Sequence, residues 1–251
     1  MIRGIYSSAS GMLAESLRTD VISNNLANVN TAGYKKDVAV TKDFASLLIS
    51  RINDHPTAPN IGNLGVGVMV DEVATMHTSG MTRGTGNDFD LAIDGKGYFT
   101  VETPAGVRYT RNGTFTKNAL GELITQNGYR VMGENGPIQV EGNGDRAKMT
   151  VSEDGRVSVD GVEVDRLQLV EFVEEKQLVK EGGSLFNANG AQGQPATGGV
   201  RQGYLEMANV NVVSEMVNLI ANYRAYEVNA KTVQAHDQLL NRAVNDVGKL
   251  G

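Results

Sequence analysis

The chain lacks cysteine and tryptophan altogether and carries only three histidines and five prolines. Without cysteine there are no disulfides, no thiolate metal sites and no cysteine nucleophiles. Aromatic residues make up 6% of the 251 positions. No stretch has the length of apolar sequence that crossing a bilayer requires. The first residues hold one basic side chain, Arg3, followed by mixed apolar and polar positions, which is not the pattern of a cleavable secretory signal. Basic runs are also missing: Lys35-Lys36 is the longest, and the net charge is −6, so a nucleic-acid surface is excluded as an expectation.

What is abundant is glycine, thirty residues concentrated between Gly62 and Gly203, and helical periodicity at both ends. From Val212, steps of four and three reach Met216, Leu219, Tyr223, Tyr226, Ala230, Val233, Asp237, Leu240, Val244 and Val247, and only Asp237 is charged. A period of 3.5 keeps one narrow helix face against a partner helix along its whole length. Near the other end Ile2, Ile5, Ala9, Met12, Leu13, Leu17 and Val21 recur at helical spacing. The simplest arrangement pairs the two terminal helices with each other and with other copies. Tyr223 and Tyr226 suit such an interface, where a ring is buried while its hydroxyl finds a partner.

The expected fold is α+β: N- and C-terminal helices forming a coiled-coil stalk, with a β-rich sandwich or irregular barrel inserted between them. The expected divisions are a coiled-coil helix over 1–35, a short helix and linker over 36–66, a β-rich domain over 67–186, a linker over 187–208 and a coiled-coil helix over 209–251. The short helix spans Asp43 to Ile52, with Phe44, Leu47, Leu48 and Ile52 on one side. His55 to Gly65 reads as a Pro/Asn/Gly linker. In the middle the period becomes two, over 67–70, 89–93, 97–101, 108–110, 114–116, 122–125, 148–151, 156–159 and 166–172, where the alternation slips at Val170. Asp94-Gly95, Asn112-Gly113, Asn127-Gly128, Asn135-Gly136, Asp154-Gly155 and Asp160-Gly161 mark turns.

No catalytic grouping emerges. His55, His77 and His236 have no metal-ligand spacing. Gly62-Asn63-Leu64-Gly65-Val66-Gly67 lacks the Lys-Ser/Thr ending of a phosphate loop, and Asp88, Asp90 and Asp94 lack the glycine and glutamate of a calcium loop. Asp154 and Asp160, a nominal acid pair, both precede glycine in turns. No catalytic residue, cofactor, metal or small-molecule substrate is expected. The rival from another class is a carbohydrate-binding or peptidoglycan-acting β domain on a helical stalk.

Ser23-Asn24-Asn25-Leu26-Ala27-Asn28-Val29-Asn30-Thr31-Ala32-Gly33-Tyr34-Lys35 resembles the N-terminal signature of bacterial flagellar basal-body rod and hook proteins. Residues 211–227, from Asn211-Val212-Val213-Ser214-Glu215 to Tyr226-Glu227, are similar to that family's C-terminal motif. Asp94-Gly95-Lys96-Gly97-Tyr98-Phe99 and Tyr109-Thr110-Arg111-Asn112-Gly113 resemble its β domain. The resemblance implies a non-enzymatic axial subunit, exported by the flagellar type III apparatus and polymerised with other copies and other rod and hook proteins into a hollow rod in a non-closing helical arrangement. It places the subunit interface at Asn24, Asn25, Leu26, Asn28, Thr31, Gly33, Tyr34, Val212, Met216, Leu219, Tyr223, Tyr226, Ala230, Val233, Leu240 and Val244. The asparagine amides are expected to cap carbonyls at the end of the first helix and to bond to neighbouring subunits. Chain length and the segment 128–138 look more like the proximal-rod F type, which is favoured, while the C-terminal helix suits the distal-rod G type equally.

Overall fold

The computed structural model describes residues 2–44, 47–50, 60–140 and 148–248. A first helix, α1, covers Ile2–Ala27, and a second, α2, covers Val212–Gly248. Between them lies a β-rich middle, so the order is helix, strands, helix. Despite five serines and two glycines, proline-free sequence with apolar residues at helical spacing carries α1 without a break. Asn211 caps α2: its side-chain oxygen accepts from the Ser214 N–H at 3.0 Å, satisfying a first-turn donor that has no intrahelical partner. At 37 residues, α2 runs for roughly 55 Å.

Internal packing divides the chain into two units. One consists of Met1–Leu26, Asp37–Ala74 and Asn211–Gly251, the other of Ala27–Lys36 and Thr75–Val210. The first holds both helices and two ribbons. Strand β1 (Asp37–Asp43) pairs with β4 (Val68–Thr75), and β2 (Leu47–Ser50) pairs antiparallel with β3 (Asn60–Leu64). In β1 the alternation Val38-Ala39-Val40-Thr41 shows directly as exposed and half-buried positions in turn.

These ribbons correct the sequence expectation. The short helix from Asp43 to Ile52 does not form: β1 runs to Asp43, and Leu47–Ser50 is a strand whose partner is the Asn60–Leu64 part of the expected linker. Ladder bonds from a distant segment outweigh the helical spacing of four apolar residues, since short apolar runs fit either structure. The part of that reading at Ile52, and of the linker at 55–59, lies outside the described residues.

The second unit is antiparallel throughout. Its largest sheet runs Val179–Glu181, Leu185–Asn187, Gly106–Thr110, Tyr98–Thr103, Arg130–Val131, Leu123–Thr125, Phe115–Lys117. Leu169–Phe172 also pairs with Tyr98–Thr103, and Gly193–Pro195 pairs in turn with Leu169–Phe172. Tyr98–Thr103 is covered on both sides. Phe99 and Val101 join one core with Leu91, Phe115, Leu123 and Val157, while Tyr98 joins a second with Phe172, Leu178 and Phe186.

The hairpin Arg156–Val159 and Val162–Arg166 turns at Asp160-Gly161, where φ is 52° and 84°. Both central residues there need the left-handed region, which glycine and aspartate adopt at little cost. Asn112-Gly113, by contrast, is no hairpin turn: the Asn112 side chain accepts from the Thr114 N–H in an Asx turn, and the Gly113 carbonyl accepts from Leu91. The segment read as one strand over 166–172 is two, Val162–Arg166 and Leu169–Phe172, because the chain changes partner at buried Leu167. The stretch 187–208, read as a linker, contains strands Gly193–Pro195, Gly199–Gln202 and Tyr204–Glu206. Its Gly/Gln/Asn composition has little β propensity of its own, so neighbouring edges impose the extended form.

Candidate assembly surface

Within the first unit the two helices run antiparallel at close range. The Asn222 amide donates to the Glu15 carbonyl and to the Thr19 hydroxyl, both at 2.6 Å. Further along, a methyl group placed at Gly11 would lie 2.9 Å from the Asn229 amide nitrogen, and one at Gly4 would lie 2.5 Å from His236 Nε2. The α2 residues turned to α1 are therefore Asn222, Asn229 and His236. Glu215, one heptad before Asn222, is buried as well.

This shifts the phase of the expected seam. Val212, Leu219, Ala230, Val233 and Leu240 are half-buried, but Met216 is 48% exposed, Tyr223 58% and Val244 71%, with Tyr226 open as well. The predicted stripe and the actual seam share Val212, Leu219, Val233 and Leu240, spaced by multiples of seven, and part company between them. Along the first turns of α2 the open stripe broadens, with Val213, Val217 and Ile220 beside Met216 and Tyr223. Helix α1 contributes exposed Tyr6, Leu13 and Leu17. Exposed apolar side chains at this density along a helix face make it a candidate interaction surface.

The signature asparagines do different work. Asn25 is buried, donating its amide to the Asp37 carbonyl at 2.8 Å and accepting from the Asp37 N–H at 2.9 Å. It therefore ties α1 to the start of β1. Asn24 is exposed on the last turn, Leu26 is half-buried, and Asn28 accepts from the Thr31 hydroxyl at 3.3 Å in the turn after the helix.

Gly33, Tyr34 and Lys35 are buried inside the second unit. Gly33 has φ +66°, and a Cβ there would fall 2.3 Å from the backbone of Arg111 and Asn112, so only glycine fits. Its N–H donates to the Glu206 carbonyl at 2.7 Å. Lys35 Nζ then reaches Glu206 Oε1 at 2.6 Å, Arg111 Nη1 reaches Glu206 Oε2 at 3.1 Å, and the Gly80 N–H adds a third donor at 2.8 Å. Lys35 also donates to the Thr78 carbonyl, and Arg111 donates to the Gly95 carbonyl and lies over the Tyr98 ring. Burial pushes the Lys35 amine below the usual lysine range, against the pull of Glu206. Loss of water likewise pushes the Tyr98 hydroxyl well above the usual tyrosine range, with Glu175 adding to it; that hydroxyl sits 2.8 Å from His77 Nδ1. Sequence reading missed Glu206 entirely, because its partners lie 171 and 95 residues away and no local pattern marks it.

Among the described residues no group of His, Cys, Asp or Glu is arranged to hold a metal ion, and no helix is long and apolar enough to cross a membrane.

Residues 5–35 match a family model described as flagella basal body rod protein, residues 92–159 one described as flagellar hook protein FlgE/F/G D1 domain, and residues 201–246 one described as flagellar basal body rod FlgEFG protein C-terminal. The chain is similar to the flagellar basal-body rod protein FlgG of Bacillus subtilis, 34% identical over 98% of this chain and 99% of the relative. It is 36% identical to FlgG of Caulobacter vibrioides over 95% of this chain and 97% of that one. It is also 30% identical over the full length of both chains to the flagellar hook-basal body complex protein FlhO of Bacillus subtilis.

Proposed function

The chain belongs to the flagellar basal-body rod family, structural proteins of the basal body and not enzymes, and from that premise we propose that it is an axial subunit polymerising through its terminal helices into the hollow drive shaft for motility. The observation that carries the reading is the apolar face of α2 left open after α1 has packed, Met216, Val217, Ile220 and Tyr223, together with Tyr6, Leu13 and Leu17 on α1. A face of one helix meeting a different face of the next copy makes a heterologous contact that grows into a helix instead of closing. Each half-exposed side chain covered this way contributes on the order of 1 kcal/mol. In the assembled rod the helices form a coiled-coil layer around the channel. Partners are other copies and other rod and hook proteins, and the route out of the cell is the flagellar type III apparatus.

The names of these relatives favour the distal, G-type rod. The proximal, F-type preference drawn from chain length and residues 128–138 finds no support among them. Deleting the gene and imaging purified basal bodies, with a complemented control, tests both points. The expected result is a rod truncated at its distal end, with no hook or filament. A missing proximal rod would restore the F-type reading, and intact motile flagella would overturn the axial role.

A further inference from the structure

Asn112-Gly113, Asn127-Gly128, Asn135-Gly136 and Asn189-Gly190 all lie in the second, β-rich unit, and so do the residues that hold them. A further pair, Asn143-Gly144, lies outside the described residues. An asparagine followed by glycine can modify itself. The glycine nitrogen loses its proton and bonds to the asparagine Cγ. The Cγ–Nδ2 bond breaks, and the side-chain nitrogen leaves as ammonia, taking that proton. One water then opens the cyclic imide on one side or the other, giving aspartate or isoaspartate. Glycine favours the step because no Cβ obstructs the approach of its nitrogen. Among the four pairs, the outcome depends on which reacting groups the fold already engages.

At three of them one reacting group is tied. The Gly128 N–H, the nucleophile itself, donates to the Thr125 carbonyl at 2.9 Å, and the Tyr129 N–H closes the same turn on the Thr125 hydroxyl. Asn112 Oδ1 accepts from the Thr114 N–H at 3.0 Å. Buried Gly113 is also pressed so close that a Cβ there would fall 1.6 Å from the Leu91 carbonyl oxygen. The Asn135 amide, the leaving group, donates to Asp165 Oδ1 at 2.9 Å, and that carboxylate opposes the negative charge developing on the attacked amide.

Asn189 is free of all these restraints. Asn189 and Gly190 form the tip of a turn, with φ of 46° and 85°. Both are exposed, and a Cβ at Gly190 would meet nothing within 4 Å. Among the described residues the Gly190 N–H has no acceptor and the Asn189 side chain no partner. The bonds present, Asn189 N–H to Asn187 Oδ1 at 2.9 Å and Ala191 N–H to the Ala188 carbonyl at 2.8 Å, hold the turn and not the reacting groups. We infer that Asn189 is a self-modification site, converting to aspartate and isoaspartate in the folded chain ahead of the other three pairs. The product adds one negative charge to a chain of net charge −6. Isoaspartate also inserts a carbon into the main chain beside Ala188 and Ala191, which pack on the core of Tyr98, Phe172 and Phe186.

The unaltered full-length chain tests this, incubated for weeks in neutral buffer and sampled by peptide mass spectrometry. Conversion replaces NH2 by OH in the peptide, and isoaspartate is labelled by an isoaspartyl methyltransferase. A hydrogen bond of about 1 kcal/mol that must break first slows attack about fivefold, so Asn189 should lead Asn112, Asn127 and Asn135 by at least about that factor. In urea, with the fold gone, the lead should vanish. Conversion at any of the other three that matches Asn189 in the folded chain overturns the inference. So does an Asn189 that stays intact when folded but converts in urea. A lead that persists undiminished in urea overturns it too, since the fold would then not be the cause. None of these outcomes depends on rod assembly.

Discussion

Lys35 and Glu206 stand 171 residues apart in the chain and 2.6 Å apart in the fold, both almost without access to water. With Arg111 on the other carboxylate oxygen, one buried anion serves two buried cations. Removing one partner of such a group leaves uncompensated charge in low dielectric, which costs more than the pair contributes when intact. Glu206→Ala should therefore lower unfolding free energy by about 3–5 kcal/mol, read as a shift in urea midpoint at unchanged slope. A loss below about 1 kcal/mol would mean that water reaches the cluster.

Tyr98 sets a limit on the alkaline side. Its hydroxyl is held protonated in the folded chain beyond the value of about 10 expected when unfolded. A group with a raised folded pKa contributes stability below the unfolded pKa and loses it as pH climbs above that value. Stability should accordingly fall from about pH 10 upward, and Tyr98→Phe should flatten this limb. Lys35, whose pKa is lowered, works in the opposite direction as pH approaches about 10.4, so the informative quantity is the difference between the unsubstituted and Tyr98→Phe chains across pH 8 to 12. A difference independent of pH contradicts the assignment.

Leu219 and Tyr223 separate folding from assembly. Leu219 is half-buried, so Leu219→Asp damages the subunit as well as any contact between copies. Tyr223 is open, so Tyr223→Asp should leave the melting temperature within about 2 °C and abolish polymerisation. Sedimentation of the refolded chain, together with basal-body images from a strain carrying only this variant, would measure both. Rods of normal length from that strain would show that this face makes no essential contact.

Asn25 tests the signature. Its amide takes both backbone groups of Asp37, so Asn25→Ala should cost about 1–3 kcal/mol in the isolated chain, before any neighbour is involved. An unchanged unfolding midpoint combined with failed assembly would return Asn25 to the intersubunit role first expected of it.

The sequence made both helices legible because each carries a long, proline-free periodic run, and it made most central strands legible through alternation between Gly-containing turns. The phase of the α2 seam was not legible. Met216 and Tyr223 outscore Glu215 and Asn222 on apolarity, yet the inward residues are chosen by glycines at positions 4 and 11 and by a carbonyl at Glu15, all about 200 residues upstream. Leu47–Ser50 was misread for a similar reason: four residues cannot announce their period, and their partner strand lay in what looked like a linker. The ion cluster around Glu206 was invisible because a single glutamate ending a three-residue strand has no signature until three distant segments converge on it.

The bond from Asn222 to Thr19 spans 203 residues. A ribosome adding roughly 5–20 residues per second makes α1 tens of seconds before the segment that will lie against it. The last strand of the β unit, Tyr204–Glu206, is also made before α2. In every nascent copy the N-terminal helix segment must therefore wait without its mate, available throughout that interval to whatever in the cell recognises an unfinished chain.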